Sequence, residues 1–313
     1  MLRRLSTRVA SMIVAVFTVL TVIFFSIRLG TGDPTAAIQG SYATQASIAA
    51  LRHALGLDKP LLQQYVVYLT GLVHGNLSVS LQNGQSVLHQ IIAVVPYTFD
   101  LTVSGLSIGL VLGVPLGFVA AVKRNSLADH VIRIVTLTGI SIPPFIMGYF
   151  LIIVFVIVLN LFPVTGGGNL SDPGDVLRHL VLPAFSLGLI MTSYITRLTR
   201  TTVLEILAKD FVRTARAKGL KRRVILTRYV FRLSLVTIVT LVGLYATITV
   251  GSSVVIEVVF GRPGVGQLIV DAVTQSNYTV VQGAVIFYAI FVGVVNLLVD
   301  VAYTFIDPRI GAE

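Results

Sequence analysis

Six long stretches of this sequence consist of apolar residues with almost no charge, and they limit the possible folds more than any other feature. A helix needs about 20 such residues to cross the hydrocarbon layer of a bilayer. None of the stretches alternates polar and apolar residues, as the wall of a β-barrel would. The sequence therefore predicts an all-α membrane protein with six transmembrane helices. Their predicted bounds are about 9–29, 99–122, 131–160, 178–198, 233–256 and 281–304. The fourth is the most polar, so we expect it to face protein or a cavity rather than lipid.

The N-terminal residues MLRRLSTR precede the first apolar stretch, an arrangement that resembles a secretory signal peptide. The stretch is longer than the apolar part of a usual signal peptide, and no clear A-x-A cleavage site follows it. We therefore expect an uncleaved first helix.

Lys and Arg residues indicate the orientation, because the cytoplasmic segments of membrane proteins carry an excess of them. With both termini in the cytoplasm, the inner segments hold 18 of the 23 Lys and Arg residues and the outer segments hold 5. The sequence thus predicts a transmembrane domain over residues 9–308, with a long outer segment at 30–98. The predicted cytoplasmic segments include residues 1–8, a loop at 199–232 and a tail at 309–313.

The sequence lacks the groups that a self-powered transporter would need. No Walker A motif occurs, and the five His residues show no metal-ligand spacing. Carriers that are coupled to protons or sodium usually need ionisable residues near the middle of the membrane, and the predicted spans hold none there. We expect a conduit that is not an enzyme and binds no cofactor or metal itself. A self-powered secondary carrier or channel is the alternative, and a scaffold that transports nothing is a third possibility.

Two features of the predicted spans favour close helix packing around a cavity. Gly105, Gly109, Gly113 and Gly117 recur every four residues, which places them on one stripe where a neighbouring helix can approach. The sequence SIPP at residues 141–144 predicts a break in the third span, and broken helices are tolerated where they line a cavity or protein. The second and third helices, together with the fifth, which contains Gly243 and Gly251, are therefore the candidate translocation path.

The basic stretch DFVRTARAKGLKRRVILTRYVFR, residues 210–232, carries eight Lys or Arg residues and one Asp. We expect Asp210 to cap a short helix over residues 211–218, which Gly219 ends in the left-handed conformation. Eight residues are too few for a stable isolated helix in water. Other contacts must therefore hold this helix in place.

The side chains of the short helix suit a protein groove. Phe211 and Ala215 are four residues apart on one side, while Arg213 and Arg216 are three apart on another. Such a helix can dock an apolar knob and surround it with charge-assisted hydrogen bonds. The charge could instead set topology or attract anionic lipid headgroups. Nucleic acid is disfavoured, because no aromatic residues alternate with the cations.

Seven pieces of sequence occur in an order that points to one family. Apart from the basic stretch, they are GDPT (32–35), LRHALGLDKPLLQQYVVYL (51–69), PYTFDLTVSGLSIGLVLGVPLGFVAA (96–121), GISIPPF (139–145), FGRPGVGQLIVDAV (260–273) and NLLVDVAYTFIDPRIG (296–311). Together they resemble ABC importer permeases, specifically the B-type subunit of dipeptide and oligopeptide systems, and the basic stretch resembles the family's cytoplasmic EAA loop. The sequence departs from the general importer pattern at three positions, where Arg213 replaces a Glu, Leu233 an Asn and Thr237 a Pro. These departures concern the geometry with which the chain leaves the loop and not the identity of the family.

The resemblance implies a type I importer permease in the bacterial inner membrane. It implies a second homologous permease subunit, two ATPase subunits that bind ATP and Mg²⁺, and an extracytoplasmic binding protein. Related systems handle dipeptides, longer peptides, nickel or haem. In the family the loop is the coupling helix that fits a groove of the ATPase. Carried over to this sequence, the coupling residues are Asp210, Phe211, Arg213, Ala215, Arg216, Lys218 and Gly219.

The resemblance also implies a mechanism. ATP binding would draw two coupling helices together and rock the permease halves, which is alternating access by rigid-body movement. A path for peptides needs polar acceptors and a few charges near its mouths. Asp100, Glu257 and Asp271 are the candidates, and Glu257 could pair with Arg262 instead.

Overall fold

The computed structural model describes residues 2–30, 44–54, 56–80, 82–169 and 171–306. Within these ranges the regular structure is helical apart from one isolated bridge between Val79 and Ser86, which confirms the all-α prediction. In chain order the helices are α1 Leu2–Gly30, α2 Gln45–Ala54, α3 Leu61–Val73, α4 Val87–Val122, α5 Leu127–Ser141, α6 Pro144–Leu151, α7 Pro173–Leu207, α8 Asp210–Ala217, α9 Arg222–Val224, α10 Arg232–Val259, α11 Val265–Thr274 and α12 Tyr278–Ile306. Wider π-helical turns follow α6 at Ile152–Val158 and α9 at Ile225–Phe231. The GDPT piece and the predicted tail lie outside the described residues.

In the described part of the chain, four helices are long and apolar enough to span a membrane, or up to six if each of two bent pairs forms one span. Helix α5 meets the α6 stretch at an angle of 102°, so the predicted break is confirmed. Pro143 causes it, because proline has no N–H and disfavours helical geometry in the residue before it. The Ser186 hydroxyl of α7 donates a hydrogen bond of 2.7 Å to the Pro144 carbonyl. Helix α7 thus supplies a polar partner at the break.

The helices run past the apolar residues that predicted them. Helix α4 begins at Val87 rather than near residue 99, and α7 covers Pro173–Leu207 rather than 178–198. The predicted outer segment therefore ends, and the predicted cytoplasmic loop begins, inside continuous helix. Charge marks where a segment stops being apolar, but it does not interrupt the backbone hydrogen bonds that define a helix. Polar turns can consequently extend a spanning helix beyond the hydrocarbon layer.

The chain forms two compact units, of which the first comprises residues 1–97 and 263–294. The hydroxyls of Thr21 and Tyr65 form a 2.6 Å hydrogen bond between α1 and α3, and the Arg28 Nε donates to the Gln64 Oε1 over 2.8 Å. Helix α3 is thereby fixed to α1. The buried apolar core of this unit consists of Ile27, Val87, Ile91, Val265, Ala272, Val280, Val281 and Ala284.

The second unit comprises residues 98–262 and 295–313, and α7 contributes much of its interior. The buried part of α7 includes both apolar residues and the hydroxyl-bearing Ser186, Thr192, Ser193, Thr196, Thr199 and Thr202. Thr192 satisfies its hydroxyl within the helix by donating to the Gly188 carbonyl at 2.8 Å. The expectation that the most polar span faces protein is therefore confirmed.

The glycine stripe of α4 packs against α7. A Cβ atom added to Gly109 would lie 2.5 Å from the Met191 Cβ, and one added to Gly117 would lie 2.5 Å from the Thr196 carbonyl oxygen. Both distances are too short for non-bonded atoms, so only glycine allows this approach of the two backbones. The close packing that the four-residue spacing predicted is confirmed.

Candidate functional site

Helix α8, Asp210–Ala217, is the short helix predicted in the basic stretch. It ends in a Schellman turn, in which the Leu220 N–H donates to the Ala215 carbonyl at 3.2 Å and the Gly219 N–H to the Arg216 carbonyl at 2.9 Å. Gly219 has a φ of +74°, a left-handed conformation that other residues rarely adopt. The predicted ending of the helix at Gly219 is confirmed.

The beginning of α8 differs from the prediction that Asp210 caps it. Lys209 occupies the cap position and makes no side-chain cap hydrogen bond. Asp210 lies in the first turn, where its carboxylate is 3.5 Å from the guanidinium of Arg213 and both side chains are largely exposed. Such an exposed pair contributes little to stability. The charge of Asp210 still favours the first turn, because the start of a helix carries a partial positive charge.

One face of α8 is buried against the protein itself. Val212 is fully buried and Ala215 is only 8% exposed, so the prediction that Ala215 shares an outward docking side with Phe211 is wrong. A helix of eight residues depends on tertiary contacts for its stability, and its apolar face supplies them here. The cluster around this face consists of Ala121, Val203, Ile206, Val212, Ala215, Ile225 and Val230.

The remaining surface of α8 carries cations and one aromatic ring. Phe211 is 37% exposed, and Arg213, Arg216 and Lys218 are all exposed. The structure thus places six of the seven predicted coupling residues at the surface, and Ala215 is the exception. An apolar ring bordered by guanidinium groups fits a partner groove that has an apolar floor and a rim of carboxylates.

A buried ion pair lies between α5 and α7, and sequence reasoning did not identify it. The Arg200 Nε and Nη2 donate to the two carboxylate oxygens of Asp129 at 2.7 and 2.8 Å. Asp129 is fully buried, and the Asn125 N–H also donates to it at 3.0 Å. The signal in the sequence is the S-x-x-D pattern that starts α5 at Ser126, which marks a helix start and supplies an acidic residue in a basic region.

The predicted path residues Asp100 and Glu257 both belong to the second unit. Helix α10 ends, like α8, in a glycine turn, in which the Arg262 N–H donates to the Glu257 carbonyl at 2.8 Å. The buried guanidinium of Arg262 donates to the Asp100 carboxylate at 3.0 Å. The fully buried Glu257 carboxylate accepts a 2.7 Å hydrogen bond from the Thr98 hydroxyl. These residues form one polar network between α4 and the end of α10.

Asp271, the third predicted path residue, belongs to the first unit. It lies on α11, where its carboxylate accepts a hydrogen bond of 2.8 Å from the Gln267 side-chain amide. The role of all three carboxylates in a path stays a prediction.

Comparison with known proteins identifies the class to which this architecture belongs. Residues 113–312 match the family model described as the binding-protein-dependent transport system inner membrane component, and residues 1–102 match the model of its N-terminal part. The chain therefore belongs to this family. It is a permease subunit of an ATP-driven ABC importer, located in the bacterial inner membrane, and the hydrolysis of ATP is not its own activity. A substrate-binding protein and an ATPase are its partners.

Individual relatives are similar over nearly the whole chain. The di/tripeptide transport system permease protein DppB of Pseudomonas aeruginosa (strain UCBPP-PA14) is 36% identical over 99% of both chains. The glutathione transport system permease protein GsiC of Pectobacterium atrosepticum is 33% identical over 99% of both. A solved chain of the inward-facing MetNI methionine ABC transporter matches with a TM-score of 0.56 at 18% identity, covering 70% of this chain and 97% of that one. The last match confirms the predicted importer permease fold.

Proposed function

We propose that this permease carries di- or oligopeptides into the cell. In this proposal it pairs with a second homologous permease, receives peptide from an extracytoplasmic binding protein, and is driven by two ATPase subunits that bind ATP and Mg²⁺. Similarity over nearly the full length to permeases named for di/tripeptide and dipeptide transport supports the substrate class. The family as a whole supports the binding protein and the ATPase.

The observation that carries the coupling part of the proposal is the division of α8 into two faces. Val212 and Ala215 anchor the helix in the second unit, while Phe211 and the neighbouring cations project from it. Because one face of α8 is packed into the second unit, a partner that displaces the exposed face of α8 would move this unit with it as a rigid body. We propose that the ATPase binds Phe211, Arg213, Arg216 and Lys218, with Asp210 and Gly219 shaping the two ends of the helix.

We further propose that Asp100, Glu257 and Asp271 contribute negative charge along the substrate path. The protonated amino end of a peptide is a suitable partner for such carboxylates. Asp100 is 29% exposed at its side chain, whereas Glu257 is closed off in this conformation. Contact between Glu257 and substrate therefore requires the network with Thr98 and Arg262 to rearrange during the transport cycle.

The coupling proposal is tested by co-purification of the ATPase with Phe211→Asp. We expect the amount of bound ATPase to fall by about tenfold or more, because an aromatic anchor at the centre of an interface typically contributes about 2 kcal/mol. Tyr229→Asp is the matched control, since Tyr229 is 39% exposed in the same basic stretch but lies outside α8. Wild-type stoichiometry in Phe211→Asp, or equal loss in both variants, would contradict the docking assignment.

The substrate class is tested separately, in proteoliposomes that contain the assembled transporter and its binding protein. Uptake of a labelled dipeptide on addition of ATP is the expected result, with nickel and haem as the competing ligands. Uptake of nickel or haem without uptake of peptide would contradict the peptide assignment and leave the coupling assignment intact.

A further inference from the structure

A cavity of about 620 Å³ lies beside α8 in the second unit. The ends of three helices surround it, namely the last residues of α4, the last turn of α7 and the end of α8, together with the first residues of α9 and its π-helical extension. By the distribution of Lys and Arg, these helix ends lie on the cytoplasmic side of the membrane. The predicted second span ends at residue 122, beside the lining residue Arg124, so we expect the cavity to lie near the headgroups of the inner leaflet.

The lining of this cavity is divided between positive charge and apolar surface. Arg124, Arg216 and Arg222 supply three guanidinium groups, and no carboxylate is among the lining residues. The apolar part of the lining consists of Leu204, Leu207, Leu220, Ile225 and Leu226, with small contributions from alanines and a valine. A ligand that matches this lining carries negative charge at one end and hydrocarbon at the other.

The arginines keep donors available for such a ligand. Arg222 donates one hydrogen bond from its Nη2 to the Val122 carbonyl at 3.2 Å, which ties the guanidinium to the end of α4. A guanidinium has five N–H donors, so further donors of Arg222 are free to bind an anion. Within the part of the chain that the structure describes, neither Arg124 nor Arg216 forms an ion pair with a carboxylate.

We propose that this cavity binds an anionic phospholipid of the inner leaflet. The headgroup phosphate binds Arg124 and Arg222, and the first part of an acyl chain packs on Leu207, Ile225 and Leu226. Basic pockets between membrane helices on the cytoplasmic side favour anionic headgroups, and the cavity volume is typical of a small-molecule site. The bound lipid would connect α4, α7 and α8 at one point. The proposal requires the cytoplasmic orientation of α8 but does not depend on ATPase docking.

The test measures binding of fluorescent phosphatidylglycerol to the assembled transporter in detergent. The variant that carries both Arg124→Gln and Arg222→Gln is expected to bind the lipid on the order of tenfold more weakly, because it loses both cations that bind the headgroup phosphate. The control carries Arg133→Gln and Arg228→Gln, which remove the same charge from exposed positions outside the cavity, and it is expected to bind like wild type. A variant with both Arg124→Lys and Arg222→Lys should retain most binding, which separates lost charge from misfolding.

Two competitors distinguish the phospholipid from other ligands. Phosphatidylcholine and glycerol 3-phosphate are both expected to displace the probe poorly, since the first has no net negative charge and the second has no acyl chain. Displacement by glycerol 3-phosphate as effective as by unlabelled phosphatidylglycerol would overturn the proposal in favour of a soluble phosphate site. Unchanged lipid binding by the double Gln variant would also overturn it. Loss of the ATPase from that variant with lipid binding retained would assign the cavity to the partner protein instead.

Discussion

The second unit buries carboxylates in two regions, and the two regions differ in how completely their charge is matched. Between α5 and α7, Asp129 accepts two hydrogen bonds from Arg200 and one from the Asn125 N–H. Both carboxylate oxygens are bound to the guanidinium, and the arginine keeps 20% of its side-chain exposure. This bidentate geometry is the strongest form of ion pair in proteins.

In the network of Asp100, Thr98, Glu257 and Arg262, the Asp100 carboxylate is matched less completely. The fully buried Arg262 donates from its Nη2 to one oxygen of the Asp100 carboxylate at 3.0 Å. The other carboxylate oxygen of Asp100 is buried and has no hydrogen-bond partner among the described residues. A buried polar atom without a partner costs free energy and calls for an explanation.

The difference indicates which region is fixed and which can rearrange. Breaking the saturated Asp129–Arg200 pair would leave a buried charge without compensation, so this pair favours one arrangement of α5 and α7. In the network at the end of α10, Asp100 starts with one carboxylate oxygen unpaired, so we expect it to lose less free energy when it exchanges partners. We expect the Asp129 region to act as a structural clamp and the Asp100 region to take part in the conformational cycle.

The largest expected effect comes from Asp129→Ala. Removing one partner of a buried ion pair typically costs roughly 3 to 5 kcal/mol, and we expect the lower end of this range because the remaining guanidinium of Arg200 keeps 20% of its side-chain exposure. Thermal unfolding of the purified protein in detergent should show a clear decrease in the melting temperature. Asp210→Ala is the matched control, since Asp210 is also paired with an arginine but its side chain is 93% exposed. Asp210→Ala should lower the free energy of unfolding by about 0 to 1 kcal/mol. Equal decreases of the melting temperature in the two variants would contradict the assignment of the Asp129–Arg200 pair as a structural clamp.

Much of the fold could be predicted from the sequence because it follows from local patterns. The apolar stretches indicated the spans, SIPP indicated the break, and the spacing of Gly105 to Gly117 indicated a stripe of close packing. The helix ends could not be located as well. Hydropathy indicates whether a segment lies in lipid or in water, whereas a helix ends where its backbone hydrogen bonds end. The continuation of α7 to Leu207, beyond its apolar residues, demonstrates the difference.

The candidate site was predictable only in part, because partners that are distant in sequence decide which side of a residue is buried. Gly219 could be assigned from its own conformational freedom. Ala215 could not be assigned, since helical spacing puts it on the same side as Phe211 but does not say which neighbour covers it. The pairing of Asp129 with Arg200 joins residues 71 positions apart, and no local pattern links them.

A more exact comparison makes the same chemical change in both regions. Asp100→Asn keeps one acceptor oxygen for Arg262 and removes only the charge, so we expect it to cost about 1 to 2 kcal/mol. Asp129→Asn should cost more, because the amide can accept from only one of the two guanidinium N–H groups of Arg200. Melting temperatures in the same detergent give the ranking. A larger loss from Asp100→Asn would mean that the region at the end of α10 is the clamp.

The smallest effect concerns the hydroxyl that binds Glu257. Thr98→Val keeps the shape of the side chain and removes the 2.7 Å hydrogen bond to a buried carboxylate, which should lower the stability by about 1 kcal/mol. Thr102→Val is the control on the same helix, because the Thr102 hydroxyl donates only to the Thr98 carbonyl one turn earlier. We expect the control to lose less stability than Thr98→Val, because the Thr98 carbonyl still accepts the helical hydrogen bond from the Thr102 N–H. If the Glu257 network takes part in the cycle, Thr98→Val should also change the rate of peptide uptake while Thr102→Val does not. A stability change in Thr98→Val with unaltered uptake would show that the hydroxyl only supports the fold, and would place Glu257 with Asp129 among the structural carboxylates.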